Sequence, residues 1–428
     1  MEKVNVHTFG CKINIFDSEV IKNQFKEKGY LITNNWSDSD IIVINSCTVT
    51  HKADSKFQSF IRKVNRVNPK AKVVAVGCFT ELEPEKVSKL PGIDLILGSD
   101  NKFSAVEKIL TIREKRETPE IVIEETKEPT FKDYHINSFH AHTRAFLKIQ
   151  DGCNNFCTYC TIPKARGKSR SKPLESVIED TKNLVNNGYK EIVISGIDLG
   201  SYSYEGNDLH DVIVKMLEVE GFRLRISSVE PWCFSHKLIE LIINNNRICN
   251  HLHIPLQNSS SRVLKRMGRR YTKEFFDNLI NRLSKREDIM ISTDIITGFP
   301  GETEEEFNEN LSYLKESNIT YAHIFSYSDR PRAVSRKLDG KISKREIERR
   351  SLILRTVSDK KREDFYRSMI GKNLEVLIEK RGDLFSIGHS ENYSPVKISS
   401  ESFIKENGIY KVKIAKFYDN YLIGKTVS

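Results

Sequence analysis

AFLKIQDGCNNFCTYCTIPKARG, residues 145–167, runs from an apolar, strand-like stretch directly into three closely spaced cysteines. Cys153, Cys157 and Cys160 place three thiolates within eight residues, enough to wrap one face of a metal cluster. A 4Fe–4S cubane has four irons, so three protein ligands leave one iron open to chelate a small molecule. Zinc is the alternative, but a structural zinc site expects a fourth Cys or His, and none follows at a typical spacing. The loop also follows the first strand of a repeating βα series, and strand C-termini are where such folds place chemistry.

Downstream, the strand-like runs EIVISG (191–196), FRLRISSV (222–229), HLHIPLQ (251–257), ISTDIITGF (291–299) and YAHIFSYS (321–328) alternate with helical patterns such as PLESVIEDTKNLVNNG. With AFLKIQ they make six βα-type repeats, which predict an open, partial (βα)6 barrel. Upstream, VNVHTFG, DIIVINS and KVVAVG alternate with helical patterns, which predicts a parallel βα domain. Asp17 or Ser18 is the expected cap of its first helix. Each of the three runs ends on a cysteine: Cys11, Cys47 and Cys78. Strand C-termini share one edge of a parallel sheet, so these thiols can converge into a second three-thiolate site. As isolated residues they would read as three buried core thiols.

The other boundaries follow. Residues 116–140 read as a charged linker between an N-terminal domain (1–115) and the barrel domain (141–370). Residues 371–428 carry short strands (NLEVLIEK, SPVKISS, GIYKVKIAKF, YLIGKTV) without a helix, which predicts a small all-β barrel. The fold class is α/β.

Composition narrows the setting. The chain has 428 residues, 38% hydrophobic and 29% charged, which excludes a disordered or membrane-spanning protein. No apolar run approaches the roughly 20 residues needed to span a bilayer. The N-terminus lacks a signal-peptide pattern, so a cytoplasmic location is expected. Cys233 and Cys249 sit in no ligand spacing and read as structural. The net charge is +10 and its distribution is uneven. Asp329 to Lys372 holds fifteen Lys or Arg against seven Asp or Glu, and Thr161 to Pro173 holds five basic residues and no acid. Each run suits either a solvated surface or a polyanionic partner.

The C-x3-C-x2-C loop after the first strand of a partial barrel resembles the radical S-adenosylmethionine superfamily. The resemblance implies that the open iron of the Cys153/Cys157/Cys160 cluster binds S-adenosylmethionine and cleaves it to a 5′-deoxyadenosyl radical. It also implies cofactor contacts at Tyr159 (near the adenine), at Ser195 and Gly196 (the methionine amino group), at Gln257, and at Ile296 in ITGFPGE. With the second triad and the terminal barrel, the chain resembles the methylthiotransferase family over essentially its whole length. GCKINIFDSE, NSCTVTHKAD, RISSVEP and HIPLQNSSSRVLKRMGRRYT carry this likeness, and the terminal barrel resembles the RNA-binding TRAM domain.

NSCTVTHKAD and DGCNNFCTYCTIPKARG look closest to the branch acting on threonylcarbamoyladenosine in tRNA, whereas GCFTE and NSSSRVL depart from that pattern. The family implies two 4Fe–4S clusters, with the Cys11/Cys47/Cys78 cluster delivering a methylthio group to C2 of the adenine. It implies as partners the tRNA anticodon loop, an electron donor such as flavodoxin or ferredoxin, and a sulfur source. Arg166 and Arg170, just past the radical loop, are candidates for the substituent's carboxylate, or alternatively for phosphate. The alternative readings are action on isopentenyladenosine, action on a ribosomal protein, or a non-catalytic iron–sulfur protein that binds RNA.

Overall fold

The computed structural model describes every residue except 49, 113–114, 124–129, 137, 140–141 and 428. Six strands form the N-terminal sheet: β1 (Lys3–Thr8), β2 (Leu31–Ile32), β3 (Ile41–Ser46), β4 (Lys72–Gly77), β5 (Leu95–Leu97) and β6 (Glu120–Val122). All pair in parallel, in the order β2-β1-β3-β4-β5-β6. Ile42 and Ile44 pack with Phe57, Ile61 and Val64 of helix His51–Val67 on one face. Val43, Val74 and Val76 pack with Phe16 and Ile21 of helix Lys12–Glu27 on the other. Burial on both faces is what a continuous β-branched run provides.

Two expectations change here. The segment read as a linker contributes β6, whose two apolar residues are too few to stand out among its acids. Helix Lys12–Glu27 starts earlier than expected, with Cys11 at the N-cap position, so Asp17 and Ser18 lie inside it, fully buried.

The barrel's strands are β7 (Ala145–Lys148), β10 (Glu191–Ser195), β11 (Arg223–Ile226), β12 (His251–His253), β13 (Met290–Thr297) and β14 (Tyr321–Ser326). A small antiparallel ribbon, β8 (Gln150–Asp151) with β9 (Arg170–Ser171), closes the cysteine loop between β7 and β10. All six expected barrel strands form. They make two parallel triplets, β7-β10-β11 and β12-β13-β14, joined by bridges at Leu224–Ile248 and Ser228–His253. Among the described residues no pairing joins β7 to β14, so the crescent is open there. Helix Lys12–Glu27 packs against the β7 edge, and its core merges with that of the barrel. Helix Lys344–Ser368 covers the β14 edge, where the Ser358 hydroxyl accepts from the Ala322 amide (2.8 Å) and donates to the Ala322 carbonyl (2.8 Å). The strand's free edge is thereby satisfied.

The C-terminal strands β15 (Asn373–Arg381), β16 (Phe385–Ser390), β17 (Pro395–Ser399), β18 (Ile409–Tyr418) and β19 (Tyr421–Thr426) form a closed barrel in the order β15-β16-β17-β19-β18. FSIGHS supplies the fifth strand, which its Gly, Ser and His content concealed. Arg223 and Arg225, both held by buried Glu191, reach across to carbonyls of Glu375, His389, Ser390 and Glu391 and fix this barrel to the larger one. Among the described residues no helix is long and apolar enough to cross a membrane.

Candidate functional site

The N-terminal cysteines converge at one edge of the sheet. Cys47 follows β3 and Cys78 opens the short helix after β4, and both are buried. Cys11 lies at the N-cap position of helix Lys12–Glu27, with no side-chain hydrogen bond to the first turn. Gly10 has φ +104°, and a Cβ there would lie 2.6 Å from Cys47 Cβ and 2.9 Å from its Sγ. Only glycine lets the Cys11 turn pass so close to Cys47. Gly77 before Cys78 and Gly152 before Cys153 have positive φ as well.

The second triad lies in the loop after β7. The Asn155 amide donates to Cys153 Sγ (3.3 Å), the Ile162 amide to Cys160 Sγ (3.4 Å), and Arg269 Nη1 to Cys157 Sγ (3.5 Å). Arg269 is itself fixed by a fork to Glu230 and by the ring faces of Trp232 (4.8 Å) and Tyr271 (5.2 Å). Burial pushes the Cys153 and Cys160 thiols up to about 12, so a thiolate at either position needs a bound metal.

The sulfur spacing bears on which metal fits. Four bonds of about 2.3 Å around one zinc ion bring sulfurs to about 3.8 Å. Among the described residues, the only three Cys, His, Asp or Glu ligand atoms all within 4.8 Å of one another belong to Asp208, His210 and Asp211. Neither cysteine triad is drawn in to the span of a single ion. Three thiols set wider, with N–H donors turned on the sulfurs and no fourth Cys or His among them in the described residues, suit a cubane.

Arg166 ties the first triad to the segment that follows the second. It ends the short helix Ile162–Arg166 that follows Cys160, and its Nε donates to Cys78 Sγ at 3.2 Å. Its other nitrogens reach Asp17 (2.9 Å), Asp151 (3.4 Å) and Asn14. Lys148 bridges Asp17 (2.7 Å) and Asp151 (3.3 Å), and Lys102 pairs with Asp17 (2.6 Å). Burial raises the pKa of both carboxyls, but these cations outweigh it and hold both well below the usual carboxylate range. Arg170 is taken up by Asp100 (2.9 Å) and the Arg166 carbonyl (2.7 Å). The two arginines expected to face substrate are therefore built into the interface between the domains.

Tyr159, Gln257 and Ile296 do come together. With Thr50, Asp294, Phe325 and Arg330 they line a chamber of about 160 Å³ between the radical loop, the strand ends and the loop after Cys47. Ser195 and Gly196 lie outside its wall. The Ser195 hydroxyl is spent on the Leu147 carbonyl (3.3 Å), and Gly196 packs on Gln150. Arg330 pairs with Asp54 (2.7 Å) and Thr48 across the domain boundary, while its buried Nε has no hydrogen-bond partner among the described residues.

A partial barrel whose first strand end carries a three-cysteine loop defines a radical-enzyme scaffold, and the comparisons agree. Residues 147–314 match the radical SAM superfamily, and residues 3–98 match the uncharacterized protein family UPF0004. The threonylcarbamoyladenosine tRNA methylthiotransferase MtaB of Aquifex aeolicus is 37% identical over 92% of this chain and 96% of its own. That of Bacillus subtilis is 37% identical over 97% and 94%. Among solved structures, the radical S-adenosylmethionine methyltransferase TsrM from Kitasatospora setae shares the fold with a TM-score of 0.57 at 14% identity, over 76% of this chain and 73% of that one. The chain belongs to the radical S-adenosylmethionine methylthiotransferase family. Enzymes of this family work with S-adenosylmethionine and two 4Fe–4S clusters, and the two triads fit that pair.

Sequence reading missed Asp17, Asp151, Lys102, Lys148, Arg269, Glu230 and Arg330. Their signal is weak. Lys148 and Asp151 flank the loop, but Asp17 meets Lys148 and Arg166 only when two domains pack together.

Proposed function

We propose that this chain transfers a methylthio group to C2 of N6-threonylcarbamoyladenosine beside the anticodon of tRNA, in the cytoplasm. The packing of the helix that follows the second triad onto the first, through Arg166 on Cys78, supports the reading. In it, Cys153, Cys157 and Cys160 hold one cluster, and Cys11, Cys47 and Cys78 the other. The bound clusters and S-adenosylmethionine supply the radical chemistry that an inert aromatic C–H requires. The chain's own residues supply position and charge. Arg269 and Arg166 set fixed cations against one sulfur of each triad. Tyr159, Gln257 and Ile296 form the wall against which the cofactor's adenosine packs. The anticodon loop supplies a base that can leave its stack at modest cost. Electrons come from a flavodoxin- or ferredoxin-type donor and the added sulfur from a separate source. Terminal domain 371–428 binds the tRNA.

The threonylcarbamoyl group carries a carboxylate, which needs a cation or amides, whereas an isopentenyl group needs only apolar walls. Arg330 lines the chamber with a buried donor to spare, and Arg166 and Arg170 do not. Purified, cluster-loaded enzyme offered two tRNAs, one bearing each modification, should methylthiolate the threonylcarbamoyl tRNA. Turnover confined to the isopentenyl tRNA would overturn the substrate. Arg330→Met should lower the ratio of threonylcarbamoyl to isopentenyl turnover by about tenfold. A variant that loses both activities in equal proportion would show Arg330 to be structural only.

A further inference from the structure

The basic run between Asp329 and Lys372 plays no part in the cluster sites, yet the structure gives it a place. We propose that single-stranded RNA lies in a channel beside β14, running from the terminal barrel to the inner chamber. The inference rests on the tRNA reading above and adds the path by which the RNA reaches the site.

Three cavities in series form the path. The first, about 440 Å³, lies between helix Lys344–Ser368 and the terminal barrel and is lined by Asp359, Lys360, Arg362 and Phe417. The second, about 250 Å³, shares Asp359 with it and follows Tyr321 to Phe325 of β14. The third, about 940 Å³, shares Ile324, Phe325 and Arg355 with the second and is also lined by Lys52, Lys341 and Lys344. It shares Thr50 and Phe325 to Ser328 with the chamber that holds Tyr159 and Gln257. The six residues of β14 alone span about 20 Å.

The lining has the chemistry of a single-strand groove, which combines cations for phosphates with ring faces for bases. Lys52 and Lys360 are exposed and make no ion pair among the described residues. Lys341 and Arg362 do pair, with Asp329 (3.2 Å) and Asp359 (3.0 Å). Such exposed pairs are worth little and give way to a phosphate. Phe325 is 39% exposed on a strand whose neighbours Ala322 and Ile324 are buried, so its ring is available for stacking. A peptide adding as a strand is the poorer occupant. Ser358 already takes the Ala322 amide and Arg355 the Ile324 carbonyl (3.3 Å), leaving little ladder to extend.

The test uses full-length protein and an unmodified anticodon stem-loop RNA, with binding read by fluorescence anisotropy at several salt concentrations. Arg355→Glu combined with Lys360→Glu should weaken binding by about tenfold or more and flatten the log–log salt slope by about one to two. Phe325→Ala should weaken it several-fold with the slope unchanged, since stacking releases no counterions. Lys70→Glu combined with Lys89→Glu makes the same charge change on the N-terminal domain and should move affinity less than twofold. An unchanged affinity and slope for the Arg355/Lys360 variant would overturn the channel, and so would equal weakening by the Lys70/Lys89 pair. Because the probe is unmodified, the result does not depend on turnover. Normal binding through these residues with no methylthio product on any tRNA would sink the substrate reading and leave the channel standing.

Discussion

Replacing Cys153, Cys157 or Cys160 with alanine is expected to abolish 5′-deoxyadenosine formation altogether. Replacing Cys11, Cys47 or Cys78 is expected to leave that cleavage measurable while methylthio transfer disappears. The two triads belong to separate sheets, each with its own supporting donors: the Asn155 and Ile162 amides and Arg269 for one, Arg166 for the other. Loss of one site therefore need not unmake the other. Iron should fall from about eight to about four per chain in either class of variant, since each site holds four irons. The measurements are anaerobic reconstitution, iron analysis and chromatography of the nucleoside products. About four irons in the wild-type protein, or zinc in place of iron, would defeat the two-cluster scheme. Complete loss of S-adenosylmethionine cleavage on changing Cys47 would defeat the division of labour.

The sequence disclosed the chemistry better than it disclosed the architecture around it. Cys11, Cys47 and Cys78 were legible as a set because each ends a run of β-branched residues, and a parallel sheet brings such ends together. The six barrel strands were legible for the same reason. Strands with little apolar content were not: Glu120–Val122 and Phe385–Ser390 pair through their backbones, which side-chain patterning does not report. Arg166 and Arg170 show a different limit. A run of five basic residues after a metal loop suits a polyanion, yet these two are neutralised by Asp17, Asp151 and Asp100, and all but Asp151 lie far from them in sequence. The longer basic run resolves the other way for part of its length. Arg350 is buried against Glu302 and Glu304, whereas Lys341, Lys344, Arg355 and Lys360 face the channel. Charge composition alone cannot separate those fates, because it does not say which face of helix Lys344–Ser368 meets the barrel.

Asp17, the residue that reads most simply as a helix cap, is expected to be among the most costly to change. It is fully buried and pairs with Lys102, Lys148 and Arg166, the last two of which also reach Asp151. Two carboxylates thus balance most of the charge of three buried cations. Asp17→Asn keeps the shape and removes one anion, leaving Lys148 and Arg166 with Asp151 and Lys102 with no ion-pair partner among the described residues. Stripping one member from a buried network of this kind costs about 3–5 kcal/mol. The pH dependence identifies the cause. In the wild-type protein burial, with Arg166 next in weight, lowers Lys102 to about 8, and Asp17 opposes the shift. Without Asp17 the lysine's folded-state pKa falls further below its unfolded value of roughly 10.4. Between those two values the unfolded chain binds more protons, so stability rises with pH. For the wild type that rise starts near pH 8, and for Asp17→Asn it starts lower, so the variant should regain part of its deficit between about pH 6.5 and 9. Urea unfolding of both proteins across this range measures it. A deficit below about 1 kcal/mol at pH 7, or one that does not change with pH, would show that Asp17 is not the counterion of the cluster. The effect should also reach the cofactor site, because Asp17 holds the arginine whose Nε rests on Cys78. Iron at the N-terminal triad should accordingly be lost more readily from Asp17→Asn than from the wild type, while iron at Cys153, Cys157 and Cys160 is retained.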